Sequence, residues 1–169
     1  MFAKNELKRY LVKIMSKLKD RIIKNVSIRN KKASFEYQFL DKYTAGIQLK
    51  GSEIKSIRLG KVNLDAAYCL FMNGEFFVRD MNITEYEKGA YYNHTAKADR
   101  KLLLKKRELR RIQNELNNVG LTVIPTHLFV NDKGLAKLEI AIAKGKKLFD
   151  KRETIKERDV KRQMDRDEA

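Results

Sequence analysis

With 169 residues, 43% of them apolar, the chain can build one domain with a proper core but falls short of two. Its 38 Lys and Arg against 22 Asp and Glu leave a net charge of +16, which points to a polyanion as partner, either nucleic acid or an anionic membrane surface. Apolar runs of only a few residues exclude a membrane-spanning helix, and a lone Cys69 excludes an internal disulfide and fits a reducing compartment.

Leu7, Leu11, Ile14, Leu18 and Ile22 recur every three or four residues, with Lys8, Lys13, Lys17 and Lys24 off that stripe. This predicts a basic amphipathic helix, N-capped by Asn5 and frayed by residues 25–27. Residues 33–40 alternate, with Phe35, Tyr37 and Phe39 between polar neighbours, the period of a half-buried strand. After a turn at Asp41 and Lys42, residues 45–50 continue in strand style. Residues 51–59 change period, Ile54 and Ile57 sharing a face of a short helix that Gly60 ends. Residues 68–72 and 75–79 are apolar-aromatic runs joined by Asn73 and Gly74, the strongest short-range hairpin signal. Residues 105–118 read as a helix with Leu109, Ile112, Leu116 and Val119 on one face and Gly120 as its stop. Residues 121–130 and 135–143 read as strands around a turn at 131–134, with Leu138, Ile140 and Ile142 inward.

About six short strands with helices inserted between them predict a mainly β, α+β domain: a small, partly open antiparallel barrel. The absence of strand–helix–strand alternation argues against a parallel sheet. The expected organisation is a basic helical extension over 1–28, the barrel over 29–143 and a basic tail over 144–169. In the tail only Ile155, Val160 and Met164 are apolar and they form no stripe. Glu157 and Lys161 are ordered for a pair that adds about 0.2–0.5 kcal/mol, so the tail is expected to be disordered alone and helical once a partner orders it.

Chemistry for catalysis is sparse. The histidines are His94 and His127, no Cys/His set has zinc spacing, and neither a glycine-rich phosphate loop nor a nucleophile elbow is present. His127 lies in an apolar strand and reads as structural, and nothing positions Glu85 and Glu87 as an acid–base pair. A non-enzyme without metal or cofactor is expected.

Charge is concentrated instead. Residues 1–32 hold eleven basic and two acidic side chains, and residues 97–111 hold eight and two. Arg100, Lys101, Lys105, Lys106, Arg107, Arg110 and Arg111 are read as clustering at the start of a helix and along its exposed side, where each could neutralise a phosphate. Tyr86, Tyr91, Tyr92 and Phe149 could stack on unpaired bases, although for most aromatics the core is the simpler fate. Phe149 differs, because six of the nine residues 144–152 are charged and no apolar periodicity there calls for burial.

Blocks in order over residues 29–166 resemble the small protein B family. They include Asn30, Lys31, Lys32 and Ala33; Gly51, Ser52, Glu53, Ile54, Lys55, Ser56, Ile57 and Arg58; and Gly60, Lys61, Val62, Asn63 and Leu64. Tyr86 and Glu87, Asn93 and His94, Arg100 through Leu104, and the stretch from Gly145 to Arg152 complete them. The resemblance implies an oligonucleotide-binding-type barrel that grips the transfer-RNA-like part of transfer-messenger RNA and rides with it, alongside elongation factor Tu, into stalled ribosomes. The body would stand in for the missing anticodon arm, and the tail would enter the empty decoding centre and message channel. By resemblance Glu53, Lys55, Arg58, Asn63, Asn93, His94, Arg100, Lys101 and Lys105 face the transfer-messenger RNA. Gly145 as a hinge, Lys146, Lys147, Phe149 as a stacking residue, Asp150, Lys151 and Arg152 face the ribosome. Glu53 also has a structural reading, as a charge favoured at a helix N-terminus by about 0.3–1 kcal/mol.

Two departures stand out. Lys105 and Phe149 occupy positions where many relatives carry His or Asn, and His or Tyr. Residues 1–28 exceed the usual leader and are open to three readings: an organellar targeting peptide, a further ribosomal contact, or a membrane-surface helix. Glu6, Asp20 and the preference for Lys over Arg favour an accessory helix in a bacterial cytoplasmic protein. The alternative function is a generic ribosomal-RNA-binding or translation-factor barrel. An RNA hydrolase is disfavoured for want of an acid–base or metal set.

Overall fold

The computed structural model describes residues 26–89 and 93–147, together with Asp150, Val160, Gln163 and Met164. The expected N-terminal helix lies outside the described residues up to Asn25. From Val26 onward the chain already belongs to the body: Val26 is buried and strand β1 (Ser27–Arg29) pairs with the strand that begins at Leu121. Backbone pairing then runs to Gly145, so the folded body extends slightly past both expected boundaries of 29 and 143.

Helix α1 (Lys31–Glu36) replaces the first half of the strand expected over 33–40. The reason is Asn30. Its side-chain oxygen accepts from the Ala33 N–H at 2.8 Å, while its amide donates to Leu64 O at 2.8 Å and Pro125 O at 3.1 Å. A cap tied into tertiary structure outweighs the period-two pattern. Ala33 on this helix packs with Ile124, Ala143, Tyr37 and Phe39 in a small satellite cluster. The alternation becomes a strand only at Tyr37, where β2 (Tyr37–Ile47) runs unbroken through the expected turn. Asp41 and Lys42 sit at a register shift against the last strand, a bulge that bends β2 without ending it.

Helix α2 (Gly51–Arg58), strand β3 (Val62–Asn63) and the hairpin β4 (Tyr68–Met72) and β5 (Glu75–Arg79) follow. Asn73 and Gly74 take φ of 51° and 77°, the double left-handed turn that lets the hairpin keep its right-handed twist. Strand β6 (Asn82–Ile83) pairs with β3 in a separate two-stranded ribbon. Strand β7 (Arg100–Leu103) was unforeseen, being read as the approach to a helix. That helix, α3 (Lys106–Leu116), begins only afterwards, with Glu108 accepting from the Lys105 N–H at 2.8 Å. Strands β8 (Leu121–Val130) and β9 (Ala136–Gly145) close the body.

All pairings are antiparallel. The ring β4–β5–β7–β2–β9–β8 returns to β4 through the Cys69–Val123 pair, and β1 extends β8 beyond that seam. This agrees with the expected barrel of about six strands. Val78, Val123, Leu138, Ile140 and Ile142 are fully excluded from solvent in the main core, where Ile57 of α2 and Ile112 of α3 join them. Burial pushes the Cys69 thiol far above its usual range, so it stays protonated. His127 is structural, as expected: its Nε2 lies 2.8 Å from Ser27 Oγ and its ring stacks 5.1 Å from that of Phe129.

Asn30 joins β1, α1, β8 and the Leu64 loop, so Asn30→Ala should lower stability by about 2 kcal/mol with no change in the denaturant slope. Urea unfolding checks this, and a midpoint equal to wild type would remove Asn30 from the frame.

Candidate nucleic-acid interface

Beneath the surface formed by α2 and by residues 84–89 and 93–99 lies a saturated polar frame. The Glu53 carboxylate divides its oxygens: one accepts the Lys50 N–H at 2.7 Å, capping α2, and the other accepts Arg100 Nε at 2.8 Å. Both side chains are at least 96% buried, at 4% and 2% exposure. The rest of the Arg100 fork donates to Met81 O (2.6 Å) and Ala98 O (2.9 Å) from Nη1, and to Thr95 O (3.4 Å) and Ala96 O (3.0 Å) from Nη2. Each guanidinium N–H therefore has an internal acceptor.

His94 continues this frame. Nε2 lies 3.1 Å from Ile83 O, which can only accept, so the ring proton sits on Nε2. Nδ1 then accepts from the Ser52 hydroxyl at 3.0 Å. Next to it, Asn93 closes the loop: its oxygen accepts from Tyr86 N (3.2 Å) and His94 N (3.0 Å), and its amide donates to Tyr86 O (2.8 Å). Gly89 lies so close that a Cβ there would be 2.9 Å from both Asn93 Nδ2 and Tyr86 O.

Over this frame sit the exposed groups. The Lys55 ammonium stands 5.4 Å from the centre of the Tyr86 ring, in cation–π reach. Lys61 pairs with Glu87, whose carboxyl that bond holds below the usual range. Asn63 is exposed beside them, its oxygen accepting from Asp65 N at 2.7 Å. Along β5 and β7, Lys101 pairs with Glu75, and Arg79 grips Asp99 with two bonds of 2.9 and 2.6 Å. Those Arg79 bonds hold the Asp99 carboxyl below its usual range. A cleft of about 420 Å³ opens here, walled by Lys50, Glu75, Phe77, Asp99 and Lys101 above the buried Glu53 and Arg100. Farther along, α3 turns Lys106, Arg107, Arg110 and Arg111 to solvent while Ile112 is buried.

The nine residues expected to face RNA thus separate into two kinds. Lys55, Asn63 and Lys105 are exposed, and Lys101 is half-exposed. Glu53, His94 and Arg100 are internal, so Arg100 is corrected from a phosphate-facing cation at a helix start to a buried strand residue. Its charge is consumed by Glu53, because an unpaired buried guanidinium would be very costly. Asn93 is half-buried within its loop, and Arg58 donates to Gly134 O at 3.1 Å, tying α2 to the β8–β9 turn. Leu103, 53% exposed between Lys101 and Lys105, is an apolar side chain of the same surface that the candidate set did not include. The inside–outside alternation of Arg100, Lys101, Leu102 and Leu103 was its available signal.

At the other end, Gly145 is the last residue of β9, paired with Tyr37. Lys146 donates its N–H to Glu36 O at 2.9 Å, and its ammonium reaches Ser34 O at 3.4 Å. The expected hinge at Gly145 is therefore inside the sheet, and the backbone of Lys146 is still held by α1. Lys147 N–H is accepted by Asp150 Oδ2 at 3.1 Å. Phe149, Lys151 and Arg152 lie outside the described residues, as do Tyr91 and Tyr92. Among the described residues no helix is long and apolar enough to cross a membrane, and no cluster of three His, Cys, Asp or Glu could hold a metal ion.

A family model described as SmpB protein matches residues 27–169. The chain is similar to SsrA-binding proteins of Christiangramia forsetii (56% identical over 84% of this chain and 90% of that one) and Phocaeicola vulgatus (57% over 83% and 94%). It is also similar to that of Cytophaga hutchinsonii (57% over 86% and 95%). Among solved structures, a chain described under "tmRNA-SmpB: a journey to the center of the bacterial ribosome" is 41% identical, with a TM-score of 0.63 over 73% of this chain and 86% of that one.

The two kinds of residue should respond differently to substitution. Arg100→Lys should cost about 3 kcal/mol of stability, since an ammonium cannot reproduce the fork, and should leave the salt dependence of RNA binding unchanged. Lys105→Ala should leave the melting temperature alone and reduce that salt slope by about 0.9. Thermal melts with salt-titrated binding test both, and an unchanged melt for Arg100→Lys would contradict the frame.

Proposed function

The chain belongs to the SmpB protein family, and from that premise we propose how its parts divide the work of a transfer-messenger RNA partner. It binds the SsrA RNA, transfer-messenger RNA, for trans-translation on the bacterial ribosome. The observation that carries the division is a buried Glu53–Arg100–His94 frame beneath an exposed layer of cations and one aromatic ring. Such a layer recognises folded RNA by shape, phosphate contact and stacking rather than by reading a duplex.

Lys55, Asn63, Lys101 and Lys105 touch the transfer-RNA-like part directly, with Tyr86 offering a ring face beside Lys55. Glu53, Asn93, His94 and Arg100 act by holding the loop and α2 in register, and Arg58 by fixing α2 to the β8–β9 turn. The body takes the place of an anticodon arm in a ribosome whose message has ended. The tail beyond Lys146 enters the vacant decoding centre and message channel. Lys147, Asp150, Lys151 and Arg152 meet phosphates or polar edges there, and Phe149 stacks. The protein carries out no catalysis of its own and works in the bacterial cytoplasm. That reading rests on the RNA-binding family and on the absence of a catalytic constellation in the sequence.

Capture of the protein from cells followed by sequencing of bound RNA should return one dominant species, transfer-messenger RNA. A mixture of ribosomal RNA fragments without it would overturn the reading. Removing residues 147–169 should leave affinity for that RNA within about twofold, since phosphate contacts of the body dominate binding, and should abolish rescue of stalled ribosomes. Phe149→Ala should impair rescue more than Phe149→Tyr, because stacking contributes about 1–3 kcal/mol per base. Equal activity would exclude the ring from the mechanism.

A further inference from the structure

The cations of the body occur in two electrostatic states. On α3 and its cap, Lys105, Lys106, Arg107 and Arg110 are exposed, and among the described residues no carboxylate lies within ion-pair distance of them. Around α2 and on the outer face of β5 and β7, Lys61, Lys101 and Arg79 each hold a carboxylate: Glu87, Glu75 and Asp99. The Arg79–Asp99 contact is a two-bond fork. The other two are single ammonium contacts to well-exposed partners, Glu75 at 47% and Glu87 at 77%, and such pairs exchange readily.

We propose that Glu75 and Glu87 are specificity-determining carboxylates, which occupy Lys101 and Lys61 in the free protein and admit only an RNA whose fold displaces both at once. This rests on the transfer-messenger RNA reading above. An arbitrary RNA can engage the bare cations of α3 in many registers, but near Lys61 or Lys101 its phosphates meet a carboxylate. Like charges brought together oppose binding, which is discrimination by repulsion. An RNA of the right shape sets a phosphate directly on each ammonium, and the released carboxylate turns to accept from a 2′-hydroxyl at the same surface. The loss at the ion pair is then offset only for the fitting partner. The cleft between Glu75, Asp99 and Lys101 leaves room for that movement.

The test uses the full chain with Glu75→Gln, Glu87→Gln and both together. Asp132→Asn, exposed in the β8–β9 turn and a member of neither pair, controls for the loss of one negative charge. Affinities are measured across a salt series for the transfer-RNA-like part of transfer-messenger RNA and for an unrelated structured RNA of equal length. Each Gln variant should tighten the unrelated RNA about threefold beyond the control, with the salt slope steeper by about 0.9. Affinity for the fitting RNA should hold or fall, so that the double variant loses about tenfold of the preference. A double variant that tightens both RNAs equally, or no more than Asp132→Asn does, overturns the proposal while leaving the wild-type preference standing. A wild type without any preference would overturn the underlying reading, and this proposal with it.

Discussion

A buried ion pair, Glu53 with Arg100, is the contact on which the rest of the recognition surface depends. A carboxylate and a guanidinium, each at least 96% buried, would be prohibitively expensive alone, and together they are tolerated because every remaining donor finds an acceptor. Those acceptors are backbone carbonyls of a segment with little regular structure, including Thr95, Ala96 and Ala98. Arg100 thus does for this loop what a ladder does for a strand. Through Glu53 it also fixes the first turn of α2, so one pair aligns the helix, the loop and strand β7.

The barrel makes this placement possible. Its ring closes through a narrow seam at Cys69 and Val123, and the three long strands β2, β8 and β9 carry most of the pairing. β7 is short, only four residues, yet it places Arg100 and Leu102 inside with Lys101 and Leu103 outside. A two-residue periodicity therefore divides one basic block between the interior and the surface. The same economy appears at the far end, where β9 reaches Gly145 and the backbone of Lys146 is bound to α1. Gly145 is thus held by the sheet rather than left free as a hinge.

The function we propose for this family member is electrostatic matching on a rigid support. In the proposed reading, the cations of α3 supply unselective attraction, while the paired cations near α2 and β7 make attraction conditional on shape. A molecule of net charge +16 has no difficulty binding RNA; its difficulty is binding the right one. The proposed role of the carboxylates next to the lysines answers that difficulty.

Much of this was legible in the residues. The Asn73–Gly74 hairpin, the strands from Leu121 and Ala136, and helix α2 with its stop at Gly60 are all local events, in which neighbours a few positions apart decide the backbone. The concentration of charge, the family blocks and hence the RNA partner are likewise properties of the linear string. Other features escaped it. Phe35 looked like a strand residue because the alternation ignored Asn30, whose amide is oriented by Leu64 and Pro125 far along the chain. Arg100 looked like a phosphate contact because its sequence neighbours are basic, whereas its partner Glu53 lies 47 positions away. What the sequence determined by itself is which side chains exist and what short-range backbone they favour. Which cations are spent inside, which are held by a carboxylate and which are free was decided only by the tertiary structure, because burial and pairing arise between residues that meet when the barrel closes.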